Sequence, residues 1–125
     1  MEHEEYANLS VSTTAAAVAT CNALCAAVFL ADKEVIAAVE VLQEKRSVLE
    51  QSFLRLGRTL VALKLTKSPR DYTDILTGVR DSQKAAVQSL LGGDATPARV
   101  SLMFQFLWEK TTGVIERESA VTLAC

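Results

Sequence analysis

A single histidine, His3, stands in 125 residues, beside two prolines, five glycines, four phenylalanines, two tyrosines and one tryptophan. One histidine next to the chain start leaves no member for a Ser-His-Asp or Cys-His arrangement. Such catalysis needs a proton acceptor positioned at the reacting group. So few prolines and glycines exclude a turn-rich all-β fold, which breaks its chain about every ten residues. Charge of one sign is also missing. Thirteen Lys+Arg against fifteen Asp+Glu give −2, too balanced for a nucleic-acid coat or an acidic tail. The three cysteines, Cys21, Cys25 and Cys125, lack the spacing of a disulfide framework or a zinc site. Cys21 and Cys25 lie four apart, where a helix sets their Cβ atoms parallel and suits a disulfide poorly. The start Met1-Glu2-His3-Glu4-Glu5 is acidic where a secretory leader is positive. Unpaired, buried thiols in a reducing, intracellular compartment are expected.

What is present is apolar and helical. Half of the residues are hydrophobic, and 13.5 kDa suffices for one domain, 1–125. Residues 8–31 carry no charge, and Ala15, Ala19, Ala23, Ala27 and Ala31 recur every fourth residue. Such a row makes a shallow helical ridge that a partner helix can approach closely, drifting about 40° per step. A helix over 8–31 is predicted. From Lys33 to Thr66 the pattern becomes a heptad seam of Val35, Val39, Leu42, Arg46, Leu49, Phe53, Leu56, Leu60 and Leu63, predicting one coiled-coil-like helix, 33–66. At 1.5 Å per residue it is about 50 Å long. Gly57 is the position at which it would bend or break.

Ser68-Pro69-Arg70-Asp71 reads as a stop and a restart, with Ser68 as N-cap, Pro69 in the first turn and Asp71 favouring the dipole. Tyr72, Ile75, Leu76, Val79, Ala86, Val87, Leu90 and Leu91 supply an apolar face for a helix over 69–91. Gly92-Gly93 ends it with a positive φ. Thr96-Pro97 repeats the cap-and-proline start, and Val100, Phe104, Leu107, Val114, Ile115 and Val121 stripe a last helix over 97–122. Helices joined by tight turns imply an all-α, antiparallel bundle of three to four helices.

Candidate chemistry is sparse. Glu40/Glu44 and Asp71/Asp74 are carboxylate pairs at helical spacing. The Glu-x-x-His element that di-iron bundles add to such pairs is missing, so both read as solvated faces. Gly92-Gly93 lacks the strand and the lysine of a phosphate loop. No metal, no cofactor and no catalytic residue is expected. Charge layout says more than net charge: residues 1–50 sum to −5, 51–70 to +5 and 71–125 to −2. Within the basic stretch Arg55, Arg58, Lys64 and Lys67 are the candidate phosphate contacts. They spread around about two-thirds of the helix, however, and no aromatic stacking platform lies among them. Complementarity with the acidic first half, within the chain or on a partner, is the expected use.

Two features point to a partner. Leu102-Met103-Phe104-Gln105-Phe106-Leu107-Trp108 is apolar at six of seven positions, too much of the circumference for one core-facing stripe, and apolar surplus on a surface marks a contact site. Leu102, Phe106 and Trp108 are therefore the expected anchors, joined by the ridge Ala15, Ala19, Ala23 and Ala27. Arg46, the one charge in the seam, either snorkels to the rim or specifies register. The sequence thus predicts a non-enzymatic helical interaction or scaffold subunit, self-associating or built into a larger assembly. Two other readings compete with it. A single membrane span through 13–31 is suggested by hydropathy, although alanine drives insertion weakly and Asn22 sits mid-window. A nucleic-acid binder would use the basic 55–70 stretch.

Overall fold

Ser68 and Thr96 open their helices as their positions demand. The Ser68 hydroxyl accepts a hydrogen bond from the Asp71 N–H at 3.2 Å, and Thr96 Oγ1 accepts one from the Arg99 N–H at 3.3 Å. Each satisfies one of the donors a helix start leaves orphaned. In the computed structural model, which describes residues 2–28 and 32–124 and the side chains of 5–23, 37 and 39–122, these starts belong to two of four α-helices. They are α1 (Glu2–Val28), α2 (Asp32–Thr66), α3 (Pro69–Leu91) and α4 (Pro97–Ala124), with a single 3-10 turn, Gly92–Asp94, between the last two. Gly92 leaves α3 with φ 55° while its N–H bonds back to Gln88 O, a conformation open to glycine and strained for other residues. The protein is an all-α bundle in which consecutive helices run antiparallel.

The first helix starts at Glu2, earlier than the predicted residue 8. Its opening acids lie at the positive end of the helix dipole, and Tyr6 and Leu9 within that stretch are buried. Residues 29–31 lie outside the described residues, as does Ala31 of the predicted ridge. Among the described residues no helix is long and apolar enough to cross a membrane. The window 13–31 instead contributes Thr13, Thr14, Ala16 and Ala17 to the bundle interior.

Sides and diagonals follow from the packing. α1 and α4 each pack along both α2 and α3, while α1–α4 and α2–α3 are the diagonals. Lys110–Glu50 at 3.2 Å and Arg58–Glu118 at 3.6 Å join α2 and α4 at the same offset in sequence, so these two helices run parallel. The chain therefore crosses the diagonal from α2 to α3 through Lys67 and Ser68 alone.

The seam of α2 is buried from Leu49 through Phe53, Leu56 and Leu60 to Leu63. Toward the other end it emerges: Leu42 is half-buried, Arg46 is exposed, and Val39 is 39% exposed; Val35 lies outside the described side chains. Helix α2 runs through Gly57 without a break, and there the glycine admits α4 rather than ending the helix.

Two apolar clusters form the core. One gathers Tyr6, Leu9, Leu56, Leu60, Ile75, Val79 and Ile115; the other gathers Ala16, Ala17, Leu49, Phe53, Val87, Leu107 and Val114. Between them along the chain lies a polar layer of Ser10, Thr13 and Thr14 on α1, Gln83 on α3 and Thr111 on α4, all fully buried. Threonine hydroxyls enter an apolar interior by donating to the carbonyl one turn back. Thr13 does so to Leu9 O at 2.8 Å, Thr14 to Ser10 O at 2.9 Å and Thr111 to Leu107 O at 2.8 Å.

Candidate functional site

Helix α4 divides its residues between two faces. Val100, Leu107, Val114 and Ile115 face the core. Leu102 is 72% exposed, more than any other large apolar side chain among the described residues, and Phe106 is 40% exposed. α3 ends at Leu91, and beside that end the flank of α4 faces Cys21 of α1 across a hollow. What results is a groove of about 380 Å3 lined by Cys21, Leu91, Arg99, Leu102, Met103 and Phe106. Five of these six are apolar or sulfur-bearing, and Arg99 supplies the single charge. A roomier concavity among the described residues, about 610 Å3, lies along Val48, Gln51, Leu54, Arg55, Arg58 and Thr59. It mixes Val48 and Leu54 with two arginines and other polar side chains, so an occupant would have to strip water from charged groups as well as cover apolar surface. The α4 groove, apolar apart from Arg99, has the larger driving force for being filled.

The expected anchors divide accordingly. Leu102 and Phe106 project outward together. Trp108 does not join them: it is half-buried against the core cluster of Leu56, Leu60 and Ile115 and stacks on Phe104, with ring centroids 6.4 Å apart and planes 11° from parallel. At 100° per residue Trp108 sits about 120° round the helix from Leu102, which places it on the bundle's side. The alanine ridge is divided as well. Ala15 is exposed, Ala19 and Ala23 are half-buried, and Ala16 and Ala17 make the inward contact. The row drifts round the helix and cannot stay on one contact line; Ala27 lies outside the described side chains. Arg46 is exposed.

Arg55, Arg58, Lys64 and Lys67 are all exposed on or just beyond α2. Arg58 is engaged by Glu118 on α4, an acid of the last helix rather than of the acidic first half. Cys21, expected to be buried, is exposed on the groove wall; Cys25 and Cys125 lie outside the described side chains. No group of three His, Cys, Asp or Glu is placed to hold a metal ion among the described residues.

Sequence reasoning missed the polar layer, although a signal was present. The apolar stripe of α3 skips a turn between Val79 and Ala86, and that of α4 skips one between Leu107 and Val114. Gln83 and Thr111 fill the gaps, and Gln83 Nε2 donates to Thr111 Oγ1 at 2.8 Å. Two polar atoms of this layer, Gln83 Oε1 and Ser10 Oγ, have no hydrogen-bond partner. Near the other end of α3, burial of Tyr72 pushes its phenol above the ordinary value of 10.0, because the apolar surroundings disfavour the phenolate. Comparison with family models, with curated proteins and with solved structures gives no match.

Proposed function

We propose that this protein is a non-enzymatic, helical interaction subunit whose contact surface is the α4 groove. The observation that carries the reading is the pairing of Leu102 and Phe106 outside a bundle that already buries Leu49, Phe53, Leu56, Leu60 and Leu107. A small domain with enough core has no folding reason to keep those two side chains in water. Their neighbours Leu91 and Met103 give the concave, adaptable floor on which an inserted apolar side chain loses its hydration shell. Aromatic and methionine side chains are also the ones enriched where proteins meet. Burying Leu102 and Phe106 would stabilise a complex by about 1.5–3 kcal/mol for each side chain fully covered.

The test is a photo-cross-linking amino acid placed at Leu102 in the full chain, in the cell that makes it, with a control at exposed Asp81. An adduct from position 102, lost with Phe106→Asp and not given by position 81, is expected. Equal yield at both positions, or none at 102, removes the reading. Circular dichroism should stay helical in Phe106→Asp, because the side chain is outside the core.

A further inference from the structure

The groove-bearing face of α4 is complementary to itself, and we infer that its occupant is a second copy of this chain. The inference rests on the interaction reading above and names its partner. Arg99, Leu102, Phe106 and Glu109 follow one another at spacings of three, four and three. On a helix this confines them to an arc of about 80°. All four are exposed. The order along the stripe is cation, apolar, apolar, anion.

Two such stripes laid antiparallel about a two-fold axis that crosses the stripe midway between Leu102 and Phe106 bring each position opposite its complement. Leu102 of one copy meets Phe106 of the other, twice over. Arg99 of one copy meets Glu109 of the other, also twice. A two-fold pairing repeats each contact by symmetry, so one favourable charge pair becomes two at opposite ends of the seam. The parallel arrangement would set Arg99 against Arg99 and Glu109 against Glu109, which selects the antiparallel one. Within its own chain Arg99 pairs with Asp94, at 3.9 Å with both side chains largely exposed. Such a surface pair holds its members weakly and lets Arg99 exchange partners. The Leu102 side chain of each copy, the most exposed apolar group, is offered to the groove of the other.

Two to three helical turns bury less than the roughly 800 Å2 per partner of an ordinary stable interface. The dimer is therefore weak, with a dissociation constant of about 10–1000 μM, and its population changes with concentration.

Sedimentation equilibrium of the full chain between about 10 μM and 1 mM brackets that range. The mass should rise from 13.5 kDa toward twice that value. Arg99→Glu and Glu109→Arg should each weaken association at least about tenfold, since each places like charges at both ends of the seam. An equimolar mixture of these two variants should dimerise again, because every facing pair is then opposite in sign. The doubly reversed chain should regain dimerisation as well. A constant 13.5 kDa across the range, or single variants that dimerise like the parent, overturns the self-pairing. The cross-linker at position 102 separates that failure from failure of the interaction reading. An adduct of another mass removes the second copy as occupant and keeps the surface, whereas no adduct removes both.

Discussion

Gly57 on α2 and Val114 on α4 approach so closely that a methyl group built on the glycine would overlap the valine side chain. Val114 is buried and β-branched, so it has no free rotamer to turn into. Gly57→Ala should therefore destabilise the bundle by about 1–2 kcal/mol. Overpacking costs about 1–3 kcal/mol, offset in part by the better helix propensity of alanine. Urea denaturation gives the sign, and Val114→Ala gives the mechanism. If the two side chains compete for one space, the double variant loses at least about 0.5 kcal/mol less than the single losses combined. Strict additivity would show that the contact does not decide the cost.

The α2–α4 crossing also marks where the sequence stopped being readable. Helix starts at Ser68 and Thr96 and the stop at Gly92 are local chemistry, set by side chains within a few residues, and they stand where their spacing places them. The seam from Leu49 to Leu63 is legible for the same reason. Period identifies an inward face, but it cannot say how far along a helix its neighbours reach. For that reason Val39 and Arg46 carry the right spacing and still lie outside the core. Gly57 looked like a breaker because propensity is local, whereas its use is set by a residue far away in sequence. Leu102 and Phe106 were recognisable from apolar surplus alone. Cys21 and Leu91, which complete their groove, were not, because a groove wall is supplied by other helices, far away in sequence.

The polar layer gives two substitutions of opposite sign. Thr111 Oγ1 donates to Leu107 O and accepts from Gln83 Nε2, so Thr111→Val would leave the buried amide without its acceptor. That should cost about 1–3 kcal/mol. Gln83→Leu removes the amide together with the unpartnered Oε1 and leaves the Thr111 proton bonded to its own helix. It should be neutral or stabilising, as replacing buried polar groups by apolar ones of similar volume often is. Chemical denaturation of the two variants, and of Gln83→Leu/Thr111→Val, checks the asymmetry. The double variant should resemble Gln83→Leu. Equal losses from the two single variants would mean that the hydrogen bond acts as a net stabilising unit. Should Gln83→Leu gain stability yet lose a single sharp thermal transition, the layer's role is to specify the register of the helices.

Tyr72 makes stability depend on pH at the alkaline end. Its phenol, half-buried against the Leu56–Ile75 cluster, is raised above 10.0 by burial, whereas the unfolded chain leaves it at the ordinary value. The folded state thus holds its proton more tightly than the unfolded state. The contribution is complete below pH 10 and is lost as pH rises through the folded-state value. Tyr72→Phe keeps the ring and its packing but has no proton to lose. Urea midpoints measured at about pH 8 and about pH 11 should fall further for the parent than for the variant. Every other ionisable group is common to both proteins and cancels in the comparison. Parallel losses in the two proteins would mean that ionised Tyr72 reaches water without unfolding.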